Sequence, residues 1–419
     1  MTSRAQRERR KALLAMAVVP SALAAWTQQA LAPSLQTATV VPPAPTDAPP
    51  EPTPLPAPSH PVLGFERLEF GVVGHLFYTD RDRVLALTGI AGFDWFRQQL
   101  HWRDIEDSPG HYVWDEIDRI VESVAAAGIR LLVNVVRSPD FYGVNGGKPR
   151  DPEALAALFE QLARRYGRAI GAYEIWNEPN LAVENGGRIT VEDAGNYVET
   201  LAACYRRIKA IDPTLIVVAA APSSTGVTSE SLAIDDQEYL RLLYGYRDGM
   251  IREYFDVQAV HPGAAANDPD WLYPEQPGDR PGWNDHPTHY FRHVENTRAL
   301  MLEYGLGDRQ IWLTEYGWAT PNNTPGFEYG QLISLERQAD YVSRAVERAY
   351  ARYRDEQGRP WLSAMFLWNM NFAVLWGGEG NPEHEQASFG ILAPDWSPRP
   401  TFIALQGLHQ RLKAEQGRA

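Results

Sequence analysis

The chain has 419 residues, of which 44% are hydrophobic and 22% are charged. This composition is that of an ordinary globular protein, and it excludes a fully disordered chain, a collagen-like repeat and a multi-span membrane protein. Acidic residues outnumber basic ones by 53 to 39, and the resulting formal charge of -14 disfavours nucleic acids and anionic lipid surfaces as partners. The single cysteine, Cys204, cannot close a disulfide within the chain, so we interpret it as a small buried apolar group.

Residues 1–32 have the pattern of an export signal peptide. Four arginines and one lysine in residues 4–11 precede an apolar run over residues 12–26, and Ala30-Leu31-Ala32 matches an A-x-A cleavage site. An uncleaved anchor is the alternative, but the apolar run is shorter than the ~20 residues that span a membrane. We therefore expect a secreted, cell-surface or periplasmic protein with no stable membrane insertion once the signal is cleaved.

Residues 33–63 are rich in proline and contain little that could be buried. Such a segment is predicted to be disordered, either as an extended, polyproline-like spacer that holds the following domain away from a surface or simply as a leader. The composition changes after this segment, and we expect a single catalytic domain over residues 64–412.

Eight short apolar or β-branched runs follow in chain order, and each is predicted to be a buried strand. The runs are residues 70–74, 93–98, 131–136, 172–176, 215–219, 257–260, 311–313 and 364–367.

Amphipathic stretches separate these runs. In residues 114–127, Ile117, Ile120, Val121 and Val124 follow the spacing of one buried helix face. Apolar strands that alternate with helices indicate a parallel sheet covered on its outside, and eight units predict an α/β protein with the (β/α)8 TIM-barrel fold. A doubly wound sheet is the alternative, but no G-x-G-x-x-G follows the first run. The remaining length lies in enlarged loops after the strands, including residues 221–235, 262–289, 317–330 and 371–400.

The polar residues that could carry chemistry directly follow strands, which is where a barrel places its active site. Residues 175–180 read Ile-Trp-Asn-Glu-Pro-Asn after the fourth run, and residues 313–318 read Leu-Thr-Glu-Tyr-Gly-Trp after the seventh. Glu178 and Glu315 are therefore expected to face each other across the barrel mouth, where they could attack and protonate opposite sides of one bond. The alternative for each is a structural role as a helix cap or an arginine partner.

The two motifs resemble the signature of the retaining glycoside hydrolases of clan A, most nearly families 39 and 5, and the resemblance extends from about residue 70 to residue 412. It implies that Glu178 is the general acid/base, that Glu315 is the nucleophile and that Asn177 hydrogen-bonds the sugar 2-hydroxyl. Double displacement needs one protonated and one ionised carboxyl ~5–5.5 Å apart, with burial and the partner's charge keeping the first neutral.

The same resemblance assigns three further residues. Arg97, at the end of the second strand, matches an arginine that hydrogen-bonds the nucleophile, and a surface ion pair is the alternative. His261, after the sixth strand, matches a histidine that orients polar groups near the nucleophile, and a structural histidine is the alternative. Trp368, after the eighth strand, matches the tryptophan on which the apolar face of the reacting sugar lies.

Position 263 departs from the pattern of the family. Relatives commonly carry His-x-Tyr after the sixth strand, and the tyrosine hydroxyl contacts the nucleophile, whereas this chain has Gly263 there. The departure puts the exact family and the release of the glycosyl-enzyme intermediate in question. Tyr273 or Tyr290, in the long loop that follows, is the expected source of a replacement hydroxyl.

The chain has 13 tryptophans, and their positions sort them. Trp318 and Trp376 follow strands, so we expect them to bind sugar, with simple packing as the alternative; Trp396 also lies in such a segment. Trp102 and Trp114 are interpreted as structural.

A metal site is a competing interpretation of the loop after the sixth strand. Asp285, His286, His289 and His293 have spacings that could ligate zinc, and His289 and His293 would share a helix face. Metal-dependent barrels usually collect ligands from several strand ends, whereas these four crowd one loop, so we predict no metal and no other cofactor.

The sequence thus predicts an exported retaining glycosidase that cleaves O-glycosidic, β-linked bonds in an oligo- or polysaccharide and acts as a monomer. A non-catalytic carbohydrate-binding barrel is the first alternative, and a metal-dependent barrel hydrolase is the second. The sugar, the linkage and the choice between internal and terminal cleavage depend on loop shape, which one sequence does not define.

Overall fold

A computed structural model describes residues 65–275 and 283–418. The predicted signal peptide and proline-rich segment lie outside these residues. Among the described residues, no helix has the length and apolar character needed to cross a membrane.

Eight parallel strands close into a barrel, as the sequence predicts. Each pairs with its neighbours in chain order, and β1 closes the barrel by pairing with β8, with Phe70 opposite Met365. The strands are β1 (Glu69–Val73), β2 (Trp95–His101), β3 (Arg130–Val136), β4 (Ala172–Ile175), β5 (Ile216–Ala219), β6 (Val257–Val260), β7 (Gln310–Tyr316) and β8 (Leu362–Trp368). The prediction of a (β/α)8 barrel is confirmed.

Ten helices accompany the barrel in the described residues. They are α1 (Arg81–Ile90), α2 (Asp115–Ala126), α3 (Pro152–Tyr166), α4 (Val191–Ile211), α5 (Asp236–Gly245), α6 (His293–Glu303), α7 (Leu335–Arg352), α8 (Phe372–Gly378), α9 (Glu385–Phe389) and α10 (Pro400–Glu415). A small hairpin, Glu106–Ser108 with His111–Tyr112, follows β2.

The helix boundaries have local causes. The Asp151 side chain accepts a hydrogen bond from the backbone of Glu153, and Pro152 occupies the first turn of α3, where its missing N–H costs nothing. In α2, Ile117, Ile120 and Val124 are among the buried residues of the face that packs on the barrel. Cys204 in α4 is fully buried, as predicted.

The barrel interior has an apolar lower layer and a polar upper layer. We define the lower layer as Trp95, Trp312 and Phe366; the rings of Trp95 and Trp312 lie 5.4 Å apart, and Phe65 stacks on Trp312 from below. Because alternate residues of a strand share a face, the residues two positions further along β2 and β7 face the same interior at a higher level. This geometry places Arg97 and Thr314 immediately above two tryptophans.

Candidate active site

A cavity of about 260 Å³ opens at the carboxyl ends of the strands. Six of the eight predicted site residues line it: Arg97, Asn177, Glu178, His261, Glu315 and Trp368. They come from β2, from the segment after β4, from the residue after β6, and from the ends of β7 and β8. Five different strands thus position one set of side chains, as expected for a barrel active site.

The backbone after β4 is held in an unusual conformation. Trp176 and Glu178 have positive φ values of 74° and 43°, which cost side-chain-bearing residues of order 1–3 kcal/mol each. The buried side chain of Asn180 compensates, because its amide donates to the carbonyls of Ser223 and Ile234 and its oxygen accepts from the backbone N–H of Ser223. This clamp fixes the turn that presents Glu178.

Arg97 is fully buried and divides its donors among three partners. Nε donates to Glu174 Oε2 over 2.7 Å, one terminal nitrogen donates to Glu315 Oε1 over 2.7 Å, and the other donates to Asn177 Oδ1 over 2.9 Å. Burial lowers the pKa of Arg97, but the charges of Glu174 and Glu315 raise it by more. The guanidinium stays charged and sets the positions of the nucleophile candidate and Asn177 together.

His261 closes a second chain of contacts. Thr314 Oγ1 donates to Glu174 Oε1 over 2.9 Å, so the oxygen of Thr314 is left to accept from His261 Nε2, also at 2.9 Å. This places a proton on Nε2 and turns Nδ1 towards the two candidate carboxyls, at 3.1 Å from Glu178 Oε1 and 4.0 Å from Glu315 Oε2. The ring therefore lies between Glu178 and Glu315.

Burial and neighbouring charges shift the pKa values of His261 and Glu315 in the site. Burial lowers the pKa of His261, but the charges of Glu315 and Glu178 raise it by more. Burial raises the pKa of Glu315, and the charge of Glu178 adds to that, while His261 and Arg97 oppose it. The net direction for the pKa of Glu315 is upward because burial and the charge of Glu178 together outweigh His261 and Arg97.

Two predicted sugar-binding tryptophans do not reach the cavity. Trp318 is 1% exposed, and its indole N–H donates to the carbonyl of Asn267. Trp376 is 8% exposed, stacks on His384 and donates to Gln386 Oε1. Both rings pack behind the cavity wall, so the structure favours the packing alternative for them. Trp368 is half-buried and lines the cavity, with Phe372 against its edge.

Position 263 has no room for a tyrosine. A Cβ built on Gly263 would lie 1.8 Å from the carbonyl oxygen of Thr288. The expected replacements do not supply the hydroxyl either, because Tyr290 is buried with its O–H donating to Asn284, and Tyr273 packs against Tyr290 outside the cavity lining. The backbone of Thr288 therefore occupies the place where a side chain at position 263 would begin.

The candidate zinc ligands do not converge on one point, although Asp285 Oδ1 lies 3.7 Å from His289 Nε2. His293 Nε2 lies 2.7 Å from Asp236, the ring of His286 contacts Thr288, and His289 lines the cavity. His289 precedes α6 rather than sharing a helix with His293, because α6 begins only at His293. Among the described residues, no group of three His, Cys, Asp or Glu side chains could hold a metal ion.

Two residues of the network escaped the sequence prediction. Glu174 lies in the middle of an apolar strand, fully buried between Arg97 and Thr314. A carboxylate in a strand that is otherwise apolar was the available signal, because such a group is buried only with partners. Thr314 precedes Glu315 and gave no comparable signal, since threonine is common in strands.

The structure is a closed eight-stranded barrel that carries Glu178 shortly after β4 and Glu315 near the end of β7, and both line its cavity. Residues 64–270 match the family model described as cellulase (glycosyl hydrolase family 5). No curated protein matches the chain.

Solved structures of glycosidases share the fold. A family 39 glycoside hydrolase from Bacteroides cellulosilyticus WH2 aligns with a TM-score of 0.57 and 19% identity over 83% of this chain and 64% of its own. A glucosidase from Croceicoccus marinus aligns with a TM-score of 0.57 and 15% identity over 84% of this chain and 69% of its own. A family 39 β-xylosidase from Caulobacter crescentus aligns with a TM-score of 0.53 and 18% identity over 84% of this chain and 73% of its own. The chain thus spans less than two thirds of the Bacteroides enzyme. The predicted resemblance to clan A glycoside hydrolases is confirmed.

Proposed function

We propose that the protein is a retaining glycoside hydrolase that cleaves β-linked O-glycosidic bonds in an oligo- or polysaccharide by double displacement. The observation that carries the proposal is the position of His261 Nδ1 between Glu178 and Glu315. The two contacts limit the separation of these carboxylate oxygens to about 7 Å, which accommodates the ~5–5.5 Å of retaining enzymes and falls short of most of the range for inverting ones.

The first half of the reaction forms a glycosyl-enzyme ester. The carboxylate of Glu315 attacks the anomeric carbon, the glycosidic C–O bond breaks, and Glu178 donates its proton to the leaving oxygen. Arg97 holds Glu315 Oε1, and its contact with Asn177 fixes the amide for the sugar 2-hydroxyl. Trp368 offers a flat ring to the apolar face of the reacting sugar.

The second half hydrolyses the ester. Glu178, now ionised, takes a proton from a water molecule, whose oxygen attacks the anomeric carbon and releases Glu315. His261 faces both carboxyls in both halves, so it can hold Glu178 in place as the proton moves. Because no tyrosine fits at position 263, we propose that His261 and Arg97 are the groups that stabilise Glu315 as it departs.

The carboxylates are tested by removal. Glu178→Ala should lower kcat by about 10²- to 10⁴-fold, the range for loss of a general acid/base, and Glu315→Ala should lower it at least as much because no glycosyl ester can form. With an activated aryl glycoside, azide should restore turnover to Glu178→Ala and yield a glycosyl azide of retained configuration. Glu122→Ala, at an exposed position on α2, is the control and should keep wild-type turnover. Wild-type activity in either glutamate variant would disprove the mechanism.

The other candidate functions have their own outcomes. The absence of a tyrosine at 263 favours a carbohydrate-binding barrel without turnover, and sugar affinity without product on β-glucans, xylans, mannans and bacterial exopolysaccharides would establish it. Loss of activity after exhaustive chelation would establish a metal-dependent hydrolase. Product lengths from the same panel would distinguish internal from terminal cleavage.

We further propose that the enzyme is exported and acts as a monomer. The leader pattern of residues 1–32 supports export. Sequencing the amino terminus of the mature protein should find a start after Ala32, and light scattering should give the mass of one chain. An intact leader in the membrane fraction would indicate an anchor instead.

A further inference from the structure

Three charged or polar residues form one wall of the active-site cavity and have no part in the proposed reaction. His101 ends β2, Arg137 follows β3, and Glu184 lies in the short 3-10 turn Val183–Asn185 after β4. All three line the cavity that contains Glu178 and Glu315. They come from adjacent loops, and we call them the polar wall.

Glu184 is buried without full compensation. Only 4% of its surface is exposed, and Oε2 has no hydrogen-bond partner among the described residues. Oε1 lies 3.6 Å from a terminal nitrogen of Arg137, which is longer than a direct hydrogen bond. Burial raises the pKa of Glu184 to about 7; the charge of Arg137 lowers it, and that of Glu178 raises it. A buried acceptor of this kind gains free energy from any donor brought to it.

His101 adds a second polar group, whose Nδ1 lies 3.9 Å from Asp104 Oδ2, beyond hydrogen-bond distance. The ring is 8% exposed, and Nδ1 makes no hydrogen bond among the described residues. Burial lowers the pKa of His101 to about 3, and the charges of Arg137, His75 and Arg103 lower it further. The ring is therefore neutral, and it offers one donor and one acceptor nitrogen.

The backbone holds this wall in place before any ligand arrives. The N–H of Arg103 donates to the carbonyl of Arg137, and the N–H of Lys148 donates to the carbonyl of Glu184. Arg137 itself has a φ of 59°, a strained value that the surrounding loops maintain. Three loops are thus joined by main-chain hydrogen bonds, and preorganised polar groups bind at a lower entropic cost than mobile ones.

We propose that Glu184, Arg137 and His101 form a subsite that hydrogen-bonds the hydroxyls of an uncharged sugar, and that Glu184 is the specificity-determining residue that rejects acidic sugars. This inference rests on the proposed glycosidase function. Sugar hydroxyls can donate to Glu184 and accept from Arg137. A uronic acid would instead place its carboxylate in a cavity that already holds Glu178, Glu184 and Glu315.

The test changes the charge of the wall at constant shape. At pH 8, above the pKa of about 7 of Glu184, Glu184→Gln removes one negative charge from the wall and keeps the positive charge of Arg137, so the subsite becomes more positive. The probes are cellohexaose, mannohexaose and laminarihexaose, each paired with its C6-oxidised uronic form. For the wild type, kcat/KM should favour the neutral form. In Glu184→Gln this preference should fall by at least tenfold, mainly through KM, which is the size expected for one charge-assisted hydrogen bond.

Controls separate the subsite from folding and from catalysis. Glu122→Gln, on the exposed surface of α2, should keep the wild-type preference. Arg137→Gln should lower kcat/KM for the neutral form without raising that for the acidic form. A thermal unfolding midpoint for Glu184→Gln equal to or above that of the wild type would show that the variant folds.

The outcomes distinguish the inference from the function on which it rests. If the wild type is active and Glu184→Gln keeps its preference within twofold, or if the wild type prefers the acidic form, the subsite is disproved and the hydrolase stands. If the wild type shows no turnover, the subsite is tested by binding instead. Calorimetry then measures the affinity of the same probes for Glu315→Gln, with and without Glu184→Gln. Discrimination that depends on Glu184 in a protein without turnover would support the subsite and disprove the hydrolase.

Discussion

The barrel interior has two levels, two residues apart along each strand, that differ in chemistry. In the lower layer, Trp95 and Trp312 meet edge to face at 5.4 Å. The next inward positions on the same strands are Arg97 and Thr314, which together with Glu174 and His261 form the upper layer. The step from one level to the other replaces ring packing with a closed set of charged and polar contacts.

The difference shows where stability and function are separated. Burial of apolar area stabilises by about 25 cal/mol per Å², and large aromatic rings bury the most. Buried charges lose hydration, and their mutual attraction offsets that loss only if every partner is present. Substitutions in the lower layer should therefore lower stability with little effect on catalysis, whereas substitutions in the upper layer should lower both stability and catalysis.

The largest effect is expected from Glu174, the centre of the upper layer. Glu174→Ala removes the acceptor of both Arg97 and Thr314 and should cost about 3–5 kcal/mol of unfolding free energy, because it leaves buried donors unpaired. It should also lower kcat by about 100-fold, since Arg97 would no longer be held beneath Glu315. Denaturant unfolding and steady-state kinetics measure the two effects. Turnover at the wild-type level in a folded variant would contradict a positioning role.

Substitution of Trp312 in the lower layer should lower stability and leave kcat nearly unchanged. Trp312→Ala leaves a large cavity and should cost about 3–5 kcal/mol, with kcat within a few-fold of the wild type below the unfolding transition. Trp312→Phe, which keeps most of the ring, should cost less. A fall in kcat as large as that of Glu174→Ala would show that the two layers are coupled.

The polar wall should make the stability of the protein depend on pH, which the apolar lower layer cannot do. The folded-state pKa of Glu184, about 7, lies above its ordinary value of 4.5. The folded state favours the protonated form of Glu184, so its contribution to the free energy of unfolding is fully present below about pH 4.5. That contribution is lost as the pH rises through about 7, by up to about 3 kcal/mol. Thermal unfolding between pH 4.5 and 8 should show a smaller decline in Glu184→Gln than in the wild type. Identical curves would mean that Glu184 titrates normally.

The eight strands and the position of the carboxylates could be predicted because both depend on local pattern. Apolar runs alternate with amphipathic helices, and Glu178 and Glu315 follow two of the runs. The structure shifts strand ends by a few residues; β7, for example, extends to Tyr316. Strand ends are set by pairing with neighbouring strands. Those strands are distant in the sequence, so a short stretch of residues does not reveal the pairing.

The roles of the tryptophans and the loop contacts could not be predicted in this way. Trp318 follows β7 and Trp368 ends β8, yet one ring is buried against Phe291 and the other faces the cavity. The direction of each ring depends on loops from other parts of the chain. The same holds for Gly263, whose missing side chain is explained only by the carbonyl of Thr288, 25 residues further along in a different part of the loop.

Thr314 provides the smallest and most specific test of the comparison. Thr314→Val keeps the shape but removes the oxygen that accepts from His261 Nε2 and the hydroxyl that donates to Glu174. One such loss costs about 1–3 kcal/mol, and we expect kcat to fall about tenfold. The pH profile should also change, because His261 would no longer have its Nε2 proton fixed and Nδ1 directed at Glu178. Thr314→Ser, which retains the hydroxyl, should restore both, and a pH profile in Thr314→Val identical to that of the wild type would reduce Thr314 to a packing residue.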